Sequence, residues 1–406
     1  MSQLAVVGGS YLEACSSPRS IVYRGSGVRA ACVLAGMGNT VTLHTVLGNE
    51  LAGEFEQIAS LKGFALQAAR RDHEITFVYQ HPLGVPEIDG ESVGTEPRSA
   101  ISADAALVFG MIEGRPIVHG DRVVYDPQDG DRAASFSSNG SSAKELAIVA
   151  SLSEARSLSG KETPEDAASE LLNQGGHVVI VKCGMLGAVV ATAAGLTWIR
   201  AFPTDYVWKI GSGDVFSAAF AHAWLVEGLG VLDAAWFASR WVAEYVSTRC
   251  EALGAAELER VRAEAAAQAM PRNRPTINPK PIYLAGPFFN TAQLWQVEEA
   301  RTALHDAGVA VFSPIHDVGE GPADEVAPED LRAIRECGLV LALLDGLDAG
   351  TLFEVGYARA LGIPVVAIAE SVEEQSLTMI IGSGCIVRSD FCSGIYEACW
   401  QLLVDE

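Results

Sequence analysis

Basic residues are scarce in this chain: 28 Lys and Arg stand against 51 Asp and Glu, a net charge of −23 over 406 residues. A surface of that sign repels phosphate backbones and anionic lipid, so neither nucleic acid nor membrane is expected as a partner. Histidine is sparse as well, eight residues without HxxxH or HExxH spacing, which argues against a metal centre built on histidine. The eight cysteines include no CxxC pair. Several of them fall in apolar strand or helix patterns, where a free thiol behaves as a small hydrophobe, and this predicts a reducing, cytoplasmic setting. No apolar run approaches the ~20 residues of a membrane-spanning helix. The opening MSQLAVVGGS lacks a basic segment ahead of an apolar one and reads as a first strand rather than a leader.

What is present is a globular composition, 49% hydrophobic and 19% charged. The length exceeds what one hydrophobic core ordinarily sustains, so two domains are expected. Strand-like runs occur at Leu4 to Gly8, Thr40 to Leu47, Glu74 to Gln80, Ala106 to Phe109, Arg122 to Tyr125, His177 to Val181 and Gly187 to Ala191. A Pro/Gly-rich loop is expected from His81 to Arg98, and helical patterns at Ala30 to Ala35, Ala143 to Leu158 and from Val215 to about Leu229. Such alternation implies a largely parallel sheet covered on both faces. After an Ala/Glu/Arg-rich helix, Ala255 to Ala269, four prolines between Pro271 and Pro281 predict an extended linker.

Beyond the linker the pattern tightens into a small doubly wound sheet, with strands at Ile282 to Ala285, Val309 to Phe312, Leu339 to Leu344 and Ile363 to Ala369. Helices are predicted at Thr291 to Ala307, from Pro328 onward, at Thr351 to Leu361 and over the tail, Gly394 to Val404. Asp345, Asp348 and Glu354 follow the third strand, at the end of the sheet where open α/β folds bind ligands. A plainer reading stands beside this one, because Thr351 and Glu354 have the T-x-x-E spacing of a helix capping box. Asp330, Asp348 and Tyr283 also have ordinary structural readings, as a first-turn acid, a turn residue and a buried strand aromatic respectively.

Two family resemblances add to these readings. From about residue 1 to 265 the chain resembles the ribokinase (PfkB) family of carbohydrate and nucleoside kinases. The matching pieces are Gly25 to Ala35 with Gly38 and Gly48, Asp126-Pro127, Ser151 to Glu154, Lys182-Cys183-Gly184 with Gly187, and Gly211-Ser212-Gly213-Asp214. The resemblance implies that Asp214 takes the proton of a sugar hydroxyl, that the turn Gly211, Ser212 and Gly213 holds the phosphate of ATP, and that Glu154 serves Mg2+. A glycine turn opening a helix suits an anion on general grounds, though on its own it is equally a plain helix start. Three positions depart from the family: Trp208-Lys209 replaces Asp-Thr, Ser151 replaces the Asn of the magnesium motif, and Arg29 stands where an Asn holds the sugar. Both a working kinase and a degenerate binding domain are compatible with these departures.

From Lys280 to about Glu370 the chain resembles the nucleoside 2-deoxyribosyltransferase family. The resemblance rests on Ile282-Tyr-Leu-Ala-Gly-Pro287, Glu329-Asp-Leu331, Asp348 and Phe353-Glu-Val-Gly-Tyr-Ala358. It implies a double displacement in which Glu354 attacks C1′ of a nucleoside, Asp330 protonates the leaving base, Tyr283 orients the nucleophile and Asp348 lies near the base. Gly286 and Phe288 of the first turn, Gly286-Pro-Phe-Phe-Asn290, would line the substrate, and this turn offers little to neutralise a phosphate dianion. An unphosphorylated nucleoside or related ribosyl compound is therefore expected. No cofactor is implied for this domain, and the family implies a homo-oligomer.

The sequence thus predicts a ribokinase-like three-layer α/β/α domain over 1–270, a Pro-rich linker over 271–281 and a flavodoxin-like doubly wound domain over 282–406. The functional expectation is a nucleoside-metabolising fusion that cleaves or transfers an N-glycosidic bond. An ATP-dependent kinase with a nucleotide-sensing C-terminal domain is the alternative, and a purely ligand-binding protein the third reading.

Overall fold

The computed structural model describes residues 3–90, 100–267, 271 and 273–404. The chain divides into two compact units, Met1–Phe202 with Trp208–Arg274, and Pro203–Val207 with Pro275–Glu406.

The first unit is built on a nine-stranded sheet with the spatial order Gly195–Ile199, Ala188–Thr192, Val178–Lys182, Ser142–Ser151, Ile117–Asp126, Ala100–Phe109, Gln3–Val7, Thr40–Gly48, Ala65–Arg71. All neighbours pair in parallel except that Ala188–Thr192 runs antiparallel to both of its neighbours, Val178–Lys182 and Gly195–Ile199. Parallel strands are buried on both faces, which is why Val178–Lys182 reads VVIVK without polar alternation. Val179, Val181, Val189 and Ala191 pack against Ala155, Ala167, Ala168 and Leu171 of the helices Leu152–Ser159 and Pro164–Asn173. Another group of helices, Gly25–Gly36, Ser212–Ala221 and Val231–Thr248, packs together. A separate sheet of four short strands, Ser20–Arg24, Tyr11–Cys15, Thr76–Tyr79 and Glu87–Asp89, stands apart from the large one.

The second unit carries five strands in the spatial order Val311–Phe312, Ile282–Ala285, Leu339–Leu343, Val365–Ile368, Ile386–Arg388, all parallel. Counted along the chain this is the order 2-1-3-4-5 of flavodoxin-like sheets, with the switch point between the first and third strands. Tyr283, Val340, Ala342, Val355 and Ala358 form its core with Ile334 and Cys337.

Several sequence expectations are corrected by the structure. Ser142–Ser151 is a strand, and the helix expected from Ala143 begins only at Leu152. Its apolar residues satisfy the demands of a doubly covered strand, which periodicity alone does not separate from a buried helix. The apolar helix expected to run to Leu229 is α-helical over Ser212–Ala221 and π-helical over His222–Val226. Part of the Pro-rich stretch is ordered as a short strand, Thr276–Ile277, paired antiparallel with Leu403–Val404. The tail helix therefore ends earlier than expected, spanning Phe391–Trp400, and Tyr396 on it is buried. The loop expected from His81 to Arg98 contains the strand Glu87–Asp89, and its portion at 91–98 lies outside the described residues, as does the end of the Ala255 to Ala269 helix. Between Phe312 and Pro328, where no element was predicted, lie the helix Pro314–Asp317 and the start of Ala323–Glu336. Pro328 lies inside that second helix and does not open it, so Glu329 and Asp330 are not first-turn acids.

Candidate functional site

In the second unit, Tyr283 lies on the first strand beside Val340 of the third and Phe312 of the second. Its ring is fully buried and stacks on Phe312 at 5.5 Å, with 15° between the planes. Locked in this way, the phenol donates to Glu354 Oε1 at 2.6 Å. Glu354 rides on the helix Ala349–Ala360, whose N-cap is Asp348 and not Thr351. Asp348 Oδ2 accepts from the Thr351 backbone N–H at 2.8 Å and from its hydroxyl at 3.1 Å. The capping task is thus Asp348's, and the plainer reading of Glu354 as a capping-box partner does not hold.

The environment of Glu354 pushes its carboxyl up to about 7. Burial is the largest cause; Asp330 and Asp348 add repulsion, and the Tyr283 hydrogen bond opposes them. Tyr283 is itself driven upward by burial and by the neighbouring Glu354, so it remains a proton donor. Asp330 is raised by burial and by Glu329, and its Oδ1 is buried without a hydrogen-bond partner among the described residues. Three carboxylates close enough to influence one another favour positive charge developing on a ligand. Asp345 plays a different part, accepting from the Ser371 N–H and hydroxyl at 2.7 Å each and from the Glu370 N–H at 3.1 Å. It ties two loops together. Gly286 leaves the first strand beside Leu343, 3.1 Å from where a Cβ would stand, and Phe288 is half-buried with its ring 5.2 Å from that of Phe289. Phe312 closes a strand that the sequence indicated, but nothing in its local pattern tells that its ring would stack on Tyr283.

In the first unit, Gly211 caps the helix Ser212–Ala221 with a left-handed backbone, φ 77°. Asp214 sits in its first turn, 9% exposed. Its Oδ2 accepts from Arg29 Nη1 at 2.8 Å and its Oδ1 from Gln128 Nε2 at 2.8 Å. Burial raises the carboxyl to about 6, with Arg29 opposing and Asp126 and Glu13 adding to the rise. Next to this group, Lys182 pairs with Asp126 at 2.6 Å, and Ser217 donates to the same Asp126 oxygen at 2.7 Å. Gly213 faces Lys182, whose Nζ lies 3.3 Å from the position of a Cβ there. Backbone amides at a helix start with a lysine alongside fit an anionic phosphate. Glu154 instead completes a capping box with Ser151, its carboxylate accepting from the Ser151 N–H at 2.7 Å. Burial and Asp126 raise its carboxyl, while Lys182 lowers it. No group of three acidic, His or Cys side chains suited to a metal ion occurs among the described residues. Glu13 and Gln128 escaped the sequence reading, the first as one polar position in a half-buried strand and the second as a loop residue.

Among the described residues no helix is long and apolar enough to cross a membrane. Residues 118–250 match the pfkB carbohydrate kinase family and residues 282–389 the nucleoside 2-deoxyribosyltransferase family. A 5-dehydro-2-deoxygluconokinase of Clostridium beijerinckii is 30% identical over 89 residues, 22% of this chain and 26% of that protein. The chain thus spans about a quarter of the length of this curated relative. Among solved structures, a putative ribokinase from Agrobacterium tumefaciens aligns over 66% of this chain and 99% of its own, at 18% identity and a TM-score of 0.52. A putative ribokinase II from Escherichia coli aligns over 65% and 100%, at 16% identity and a TM-score of 0.51. A Vibrio cholerae fructokinase with fructose, ADP and calcium ion bound covers 64% and 99%, at 14% identity and a TM-score of 0.50. The chain therefore joins a ribokinase-like α/β unit with a pfkB carbohydrate kinase region to a doubly wound unit with a nucleoside 2-deoxyribosyltransferase region.

Proposed function

We propose that the second unit cleaves or transfers the N-glycosidic bond of an unphosphorylated nucleoside through a glycosyl ester on Glu354. The observation that carries this reading is the 2.6 Å hydrogen bond from fully buried Tyr283 to Glu354, at the carboxyl end of a parallel sheet. A glutamate aimed by a rigid donor, and not consumed by helix capping, is an oriented nucleophile. Its oxygen attacks C1′, the C1′–N bond breaks, and the electron pair leaves with the base, which takes a proton from Asp330. A second base or water then attacks C1′, its proton passing to the Asp330 carboxylate, and releases Glu354 as the carboxylate. Asp348, and Asp330 as its proton passes to the base, stabilise the positive charge of the oxocarbenium-like transition state. Gly286 and Phe288 line the approach of the substrate.

For the first unit the same reading assigns ATP and a small sugar or nucleoside as ligands. The turn Gly211 to Gly213 and Lys182 would take the phosphates, and Asp214 would stand as the base. Mg2+ would meet Glu154, whose carboxylate is shared with the helix cap. When bound, the ion would supply charge neutralisation for phosphoryl transfer. On this reading the two compact units would be a kinase-like domain followed by a transferase-like domain in a self-associating chain, and light scattering tests the self-association.

The test is product analysis with wild type and Glu354→Ala on ribo- and 2′-deoxynucleosides, with and without an added free base. Base exchange or release that vanishes in the variant supports the reading, and the acceptor requirement separates transfer from hydrolysis. Intact nucleosides throughout, with folded protein, would move the assignment to a kinase with a nucleotide-sensing second domain.

A further inference from the structure

Arg29 is 2% exposed and lies in a chain of charges rather than facing a ligand. Its Nη2 meets Glu13 Oε2 at 2.5 Å, while Nη1 is shared between Glu13 Oε1 at 3.1 Å and Asp214 Oδ2 at 2.8 Å. Glu13 comes from the four-stranded sheet and also accepts from the Gly25 N–H at 2.9 Å. The glycine turn closes directly over the guanidinium, for a Cβ on Gly211 would fall 2.1 Å from Arg29 Nε. The other oxygen of Asp214 is held by Gln128, a non-glycine residue with φ 50°, next to Asp129 with φ 64°. Two consecutive side-chain-bearing residues in the left-handed region are strained, and such strain persists where surrounding contacts enforce it.

We propose that Arg29 is an internal latch on the kinase-like site: it straps the four-stranded sheet to the Gly211 turn and withholds Asp214 from service as a base. This inference rests on the kinase-like reading of the first unit. In phosphoryl transfer the acceptor hydroxyl oxygen attacks the γ-phosphorus of ATP, its proton passes to Asp214, and the bond to the bridging oxygen breaks with its electron pair leaving on ADP. Asp214 cannot take that proton without surrendering its ion pair to a buried guanidinium, which would then have Glu13 as its remaining charged partner. Both of its oxygens already carry donors, and the Gly211 turn closes over the guanidinium that holds one of them. Arg29 is therefore a positioning residue that acts through Asp214. Its presence predicts a site that binds ligand while phosphoryl transfer is suppressed.

The experiment compares full-length wild type, Arg29→Asn, Asp214→Asn and the double variant. MgATP binding is measured by calorimetry, and loss of the γ-phosphate to water, ribose, 2-deoxyribose, fructose or adenosine is followed with labelled ATP. Wild type is expected to match Asp214→Asn in transfer, and Arg29→Asn to exceed both by tenfold or more, the gain disappearing in the double variant. The thermal shifts of the two single variants should be non-additive in the double variant, since they break the same ion pair. If Arg29→Asn does not melt cooperatively, the charge-balanced pair Glu13→Gln with Arg29→Met carries the same comparison. MgATP binding by Arg29→Asn without any gain would overturn the latch and leave the kinase-like reading standing. Robust transfer by wild type that falls in Arg29→Asn would also overturn it. Absence of MgATP binding in every protein would remove the reading beneath the latch, and the latch with it.

Discussion

Replacing Tyr283 with Phe deletes one oxygen and leaves the ring stacked on Phe312, so the change isolates the hydrogen bond to Glu354. That bond is the influence that lowers the Glu354 carboxyl against burial and its acidic neighbours. A hydrogen bond to a charged group contributes roughly 1.5–3 kcal/mol. At about 1.4 kcal/mol per pKa unit, its loss should raise Glu354 by ~1–2 units. The group starts at about 7, so near neutral pH half of it is the nucleophilic carboxylate. In the variant the ionised fraction at pH 7 falls to between about a tenth and a hundredth, a rate loss of about 5–50-fold. The assay is the pH profile of kcat/KM for base release. Activity rises with pH as Glu354 ionises, and in Tyr283→Phe the rising limb should move upward by that shift, with much of the rate recovered near pH 9. A limb left in place, with the rate reduced equally at every pH, would refute the role given to the phenol.

Glu354→Gln should stabilise the protein above pH 7. A carboxyl raised in the fold contributes stability below its ordinary value near 4.5 and loses that contribution as pH climbs through about 7, so the gain from removing the charge reaches at most about 3 kcal/mol. Thermal melts at pH 4 and pH 8 check this, and equal shifts at both would sink it. Asp348→Ala removes an N-cap that accepts from Thr351 at 2.8 Å and should cost ~1 kcal/mol, with Asp348→Asn largely spared. Urea unfolding decides the point, an unchanged midpoint counting against it. Glu154→Gln keeps the capping geometry, since Gln serves at this position, but removes the charge. An unchanged melting temperature with several-fold weaker MgATP binding is expected, whereas unchanged binding would leave Glu154 with the cap alone.

Much of the architecture was legible because long parallel strands leave continuous apolar runs. Val178–Lys182 and Leu339–Leu343 announce themselves in this way. The fifth strand of the second unit, Ile386–Arg388, did not, because three residues carry no period. The opposite error occurred at Ala143, where an apolar run fitted helix and strand equally. Pro328 misled for a related reason: proline suggests a first turn, yet the helix Ala323–Glu336 tolerates it at the loss of one donor.

From the sequence alone came the two α/β units, the glycine turn before Asp214 and the set Tyr283, Asp330, Asp348 and Glu354, because motifs and apolar period are local properties of the chain. Tertiary structure decided which carboxylate does what. Asp348 takes the cap and leaves Glu354 to Tyr283, a residue 71 positions away, while Glu154, expected to serve a metal, is shared with a helix cap. Only the fold could bring Arg29 to Asp214, 185 residues apart, and enclose the pair so completely that its charges answer to each other rather than to water.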